Sequence, residues 1–165
     1  RYLQPADGTD KYDNPAGRLG TNPRISWTAT VGDPRPGLLV VTEGIPDALT
    51  AAQAGYATAA ILGSQAPDAT VAARLATRAD RDGLAIVAVT DADDAGRRWG
   101  ERLADLLADH DHQATLIEPP LGNDLNEWAQ LDSTWDQHLD ALPAAQAAAA
   151  KVPRQLIGDG VEVPQ

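Results

Sequence analysis

From residue 38 onward, short continuous apolar runs alternate with longer stretches of helical periodicity. Leu38-Leu-Val-Val41 is apolar throughout, the pattern of a buried strand. Ile45 to Ala54 predicts a helix: Pro46 stands in its first turn, where a missing N–H costs nothing, and Gly55 ends it. Ala57 to Leu62 predicts a second strand, and Asp68 to Ala79 a helix with Pro67 at its start. Leu84 to Thr90 is the clearest strand. Asp94 to Ala108 then predicts a helix with Leu103, Leu106 and Leu107 on one face. Gln113 to Ile117 predicts a fourth strand, and Leu125–Gln130 and Thr134–Leu142 read as helical. Strands alternating with helices imply βαβ crossovers, hence a mainly parallel four-stranded sheet flanked by helices.

The flanks read differently. Residues 1–37 are rich in Gly, Pro, Asp and Asn and read as loop with short strands. The alanine-rich stretch from Ala144 to Ala150 and the residues after it read as a linker or tail. The expected organisation is therefore a leading segment or linker over 1–37, an α/β domain over 38–142 and a linker or tail over 143–165.

Composition narrows this picture. The chain has 165 residues, about one domain, and 43% are hydrophobic, enough for a real core. Phe, Met and Cys are absent, so Leu, Val, Ile and Ala with a few Trp must fill that core. Without cysteine there is neither a disulfide nor a cysteine zinc site. No apolar run approaches the ~20 residues of a membrane span. A chain that starts at Arg1 and lacks Met is expected to be a piece of something longer. The net charge of −11 is uneven. Residues 1–37 carry five basic and four acidic groups, whereas residues 38–165 carry eight and twenty. An acidic body argues against bulk electrostatic binding of nucleic acid, though not against a metal site.

The acids cluster where predicted strands end. Glu43 follows the first strand, Asp91 and Asp93 follow the third, and Asp124 lies in the loop after the fourth. Open parallel sheets place their sites at the carboxyl ends of strands. Any single Asp there could be a helix cap, as Asp94 is expected to be, or an N-terminal dipole partner, as Asp47 could be. Acids on three strand ends are better explained by a divalent cation. All-carboxylate ligation with no nearby His favours Mg²⁺ or Mn²⁺ over zinc, and Mg²⁺ held this way usually handles phosphates. Gly44 and Gly96 stand beside these acids and permit close backbone approach.

"VVTEGIPDAL" (Val40–Leu49), "AILGS" (Ala60–Ser64), "VTDADDAGR" (Val89–Arg97) and "GNDLNEW" (Gly122–Trp128), in this order, resemble the Toprim domain of bacterial and phage primases and primase-helicases. "DKYDNP" (Asp10–Pro15) resembles the segment just upstream of Toprim in those primases, so that residues 1–37 would be a linker or the remnant of an upstream basic subdomain. The resemblance implies a compact Toprim fold and assigns roles. Glu43, Asp91 and Asp93 would be catalytic and metal-binding, with Asp47 and Asp124 as further acids of the metal site. Lys11 would contact nucleotide or template, and Arg97 would reach phosphate. Asn126 stands where bacterial primases carry a second late acid, as it also does in phage-type members. The implied activity is RNA primer synthesis on single-stranded DNA from nucleoside triphosphates, with Mg²⁺ or Mn²⁺. The implied setting is cytoplasmic, within a larger replication protein of a phage, plasmid or mobile element. Its zinc-binding domain, most of its basic subdomain and any helicase would lie outside this chain. A Toprim nuclease and a non-catalytic Toprim module that binds DNA or partners are the alternatives. A topoisomerase fits less well, because Tyr2, Tyr12 and Tyr56 have no setting suited to a nucleophile.

Overall fold

The computed structural model describes residues 23–142 apart from 36 and 64–65. Lys11 lies outside the described residues, as do most of the leading segment and the tail. The elements run β1 (Ile25–Thr28), β2 (Leu38–Thr42), α1 (Ile45–Gln53), β3 (Ala57–Ile61), α2 (Ala69–Asp82), β4 (Ala85–Val89), α3 (Asp94–Ala108), β5 (Ala114–Ile117), α4 (Leu125–Leu131) and α5 (Trp135–Asp140). They build one sheet in the order β1-β3-β2-β4-β5.

β2, β3, β4 and β5 pair in parallel, and β1 pairs antiparallel with β3, Ile25 opposite Ile61. The expected four strands are thus corrected to five. The extra strand comes from the stretch read as leading segment. Short strands are expected in that stretch, but ISWT is only four residues long and its partner lies thirty or more residues away, so nothing local joins it to the sheet.

β2 is central, and its apolar run follows from that position. Every one of its residues is buried. Leu39 and Val41 face one layer with Ile86, Ala88, Leu75 of α2 and Leu103 of α3. Leu38 and Val40 face the other with Val87, Val89, Ala51 of α1, Trp128 of α4 and Trp135 of α5. A strand covered on both faces must be apolar at consecutive positions. Without phenylalanine, bulk comes from Trp128, Tyr56 and Trp135. Trp128 is 1% exposed and meets Trp135 edge to face at 6.2 Å between ring centroids.

α5 is fastened from across the chain. Arg35 pairs with Asp136 and Asp140, each at 2.5 Å. The buried Tyr56 hydroxyl lies 2.8 Å from the Asp136 carbonyl and 2.7 Å from the Asp140 carboxylate. Burial pushes the Tyr56 phenol well above its ordinary range. A buried phenol with that much structural bonding is no candidate nucleophile.

Candidate functional site

Three loops meet at the carboxyl edge of β2, β4 and β5. The first runs from β2 into α1 and carries Glu43 and Asp47. The second joins β4 to α3 and carries Asp91 and Asp93. The third joins β5 to α4 and carries Asp124. In-register pairing of Thr42 with Val89 and of Val89 with Ile117 fixes the loops side by side.

Hydrogen bonds stitch the loops into a ring. The Asp91 N–H donates to Glu43 Oε1 over a long 3.4 Å. The Ala92 N–H donates to the Asn123 carbonyl at 2.8 Å. The Asn126 N–H donates to Asp47 Oδ1 at 3.0 Å. Each loop, taken with the first turn of the helix it leads into, is therefore bonded to both others.

Two acids cap helices as well. Asp93 accepts from the Gly96 N–H at 2.7 Å and caps α3. Asp124 accepts from the Glu127 N–H at 2.7 Å and caps α4. The expected cap at Asp94 is corrected by one residue. Asp94 lies inside the first turn, paired with Arg97 at 2.6 Å. Asp93 has extended backbone, which a cap needs and a helical residue cannot supply. A capping carboxylate uses one oxygen on the backbone and keeps a second to offer.

Gly96 is required here. A Cβ on it would stand 2.3 Å from the Asp91 carbonyl oxygen and 2.8 Å from the Asp91 nitrogen, so the Asp91 loop rests directly on the first turn of α3. A Cβ at Gly44 would come within 3.0 Å of Asp47 Oδ2, a milder constraint.

The electrostatics are those of acids facing acids. Burial, then the charge of Asp91, pushes Glu43 up to about 7; Asp93 and Asp47 push the same way and the Asp91 N–H opposes them. Asp47 is buried, and burial pushes it up to about 6, with Asp124 and Asp91 adding to the rise and the Asn126 N–H resisting it. Among the described residues, the main causes acting on either acid include no cationic side chain.

Among the described residues no three acids form a ready-made coordination cluster. The donor set nevertheless fits a hard divalent cation, since crowded carboxylates raise one another's proton affinity and a dication would relieve it. Glu43, Asp91, Asp93, Asp47 and Asp124 are all brought to this edge. Arg97 is turned to Asp94 and to Glu118, the latter at 2.9 Å, and both acids hold its guanidinium charged.

Three residues of the ring were not assigned roles on sequence. Thr50 Oγ1 lies 3.1 Å from the Asn126 side chain. Asn123 gives its backbone and side-chain N–H groups to Glu127 Oε2, at 2.9 and 2.8 Å. The spacing Asp124-x-x-Glu127 is that of a capping box and was the available signal for Glu127. Thr50 gave none, because its partner is 76 positions away.

A crystal structure of a DNA primase domain from Pseudomonas aeruginosa is similar at 21% identity and a TM-score of 0.51, covering 74% of this chain and 40% of that one. This likeness supports the fold, and the chain spans well under half the length of that structure. A comparison with curated proteins gives no match. A family described as Toprim-like matches residues 40–129, which begin in β2 and end within α4 and so enclose all three acid-bearing loops. With its parallel sheet, its ring of acids and a match over more than half its length, the chain belongs to the Toprim-like family.

Proposed function

We propose that this chain is the catalytic core of a primase-type nucleotidyltransferase, acting within a larger replication protein. The observation that carries the proposal is the ring itself: five carboxylates from three loops and the first turn of α1 at the edge of a Toprim sheet, with acids and no cation of the described residues among the main groups that shift Glu43 and Asp47. Likeness to a primase domain in fold supports it.

Asp91, Asp93 and Glu43 would hold Mg²⁺ or Mn²⁺, with Asp47 and Asp124 completing the acidic surround. When bound, the ion supplies charge stabilisation for a triphosphate and for the oxygens exchanged at phosphorus. Asp93 and Asp124, fixed as caps, orient their carboxylates without help from substrate. Glu43, whose proton affinity burial and Asp91 raise in the metal-free chain, would accept a proton from a primer 3′-hydroxyl if it does not itself hold the ion. Arg97 would leave Asp94 or Glu118 to meet a phosphate. Lys11 would contact nucleotide or template.

The test is primer synthesis on single-stranded DNA by the full-length protein, with nucleoside triphosphates and Mn²⁺. Metal-dependent ribonucleotide primers that vanish in Asp91→Asn are expected. Metal-dependent strand cleavage without primer synthesis would instead identify a nuclease. Neither activity, with DNA binding retained, would identify a binding module.

A further inference from the structure

Asn126 stands where the resemblance places a second late acid, and its surroundings give it other work. Its backbone N–H holds Asp47, and its side-chain Oδ1 lies 3.1 Å from Thr50 Oγ1 on α1. Thr50 Oγ1 also lies 3.1 Å from the Pro46 carbonyl, one turn back on the same helix. A hydroxyl has one proton and cannot serve two acceptor oxygens fully. The two ends of a carboxamide have nearly the same shape, so the proton count decides between them. With Nδ2 towards Thr50, both bonds are supplied. In that orientation, the reverse of the one in which Oδ1 faces the hydroxyl, Asn126 would donate to Thr50 Oγ1 and Thr50 would donate to the Pro46 carbonyl. An aspartate at 126 has no proton to give and would take that of Thr50 from Pro46. It would also set a further negative charge beside buried Asp47.

We propose that Asn126 and Thr50 are positioning residues: an amide-to-hydroxyl latch that closes the ring between α1 and α4 and keeps Asp47 and Asp124 together at the acidic edge. The latch rests on the metal reading of the site given above. The other two joins of the ring are backbone contacts or use Glu43 itself. The latch alone joins two side chains that bear no charge, so it can be altered without removing an acid.

The experiment compares Mn²⁺ affinity, by electron paramagnetic resonance, in the native chain, Thr50→Val, Thr50→Ser and Asn126→Asp. Melting temperature and amide exchange at the Asn126 N–H are followed without metal. Thr50→Val should weaken Mn²⁺ binding about tenfold, the scale of losing a partner behind a ligand, and should speed exchange at Asn126. Thr50→Ser keeps the hydroxyl and should restore both. Asn126→Asp should bind Mn²⁺ more weakly than the native chain despite its added carboxylate. Unchanged Mn²⁺ affinity in Thr50→Val, even with a lowered melting temperature, would overturn the latch while leaving the metal reading intact. Tighter binding by Asn126→Asp would also overturn it, since position 126 would then be a ligand site. A native chain that fails to bind Mn²⁺ would overturn the metal reading and the latch together.

Discussion

At the scale of single residues, charge and hydrogen bonding make opposite demands on the same carboxylates. Asp93 stabilises α3 as its cap and destabilises the edge as one charge among several. Asparagine caps about as well as aspartate. Asp93→Asn and Asp91→Asn should therefore lose Mn²⁺ binding while the metal-free melting temperature holds or rises; a large fall in both variants would make these acids structural. Proton linkage gives a second expectation. Glu43 and Asp47, raised to about 7 and about 6, bind protons more tightly in the folded chain than in the unfolded one. Their contribution to stability is fully present below the ordinary carboxylate range, about pH 4, and is lost as pH rises through about 6 to 7. Urea denaturation in EDTA should show stability falling across that window, and Glu43→Gln should flatten its upper part. Mn²⁺ affinity should rise over the same interval, because the ion displaces those protons.

Elements hold the site through close backbone packing. The first turn of α3 touches the Asp91 loop at Gly96, and the neighbouring atoms are main chain that no rotamer can clear. Gly96→Ala should cost about 1–3 kcal/mol, as overpacking does, and should also lower Mn²⁺ affinity by displacing Asp91. Urea denaturation and a Mn²⁺ titration of the same variant check both; native values for both would remove Gly96 from the architecture of the site. Beneath the third loop, Trp128 is fully buried between the sheet and α5. Trp128→Ala should cost about 3–5 kcal/mol, the range for emptying an aromatic position in a core. Denaturation midpoints measure this, and a loss under 1 kcal/mol would show that α5 collapses to fill the space.

For the molecule as a whole, metal and nucleic acid should behave differently. Mn²⁺ bound by the folded chain alone should add about 2.7 kcal/mol at a hundredfold excess over its Kd. A thermal shift assay reads this, and no shift at saturating Mn²⁺ would count against the site. The chain, net −11, should bind single-stranded DNA weakly by itself. Tight, strongly salt-dependent binding by this chain alone would show a basic surface that the charge balance of residues 38–165 does not suggest.

Sequence alone determined the parallel α/β order, because β2, β4 and the helices carry their patterns locally. It also marked the candidate acids, because Glu43 and Asp91 stand just after strands and Asp93 and Asp124 stand at helix starts. The span of α3, Asp94–Ala108, was legible to the residue. Tertiary structure decided what depends on partners far along the chain. β1 becomes a strand only because β3 offers it an edge. Asp93 rather than Asp94 becomes the cap because the Asp91 loop rests on Gly96 and sets where α3 can begin. The Thr50–Asn126 contact exists only after two crossovers bring α1 and α4 together. Local patterns record which face of an element is buried; they do not record which distant atom completes a hydrogen bond.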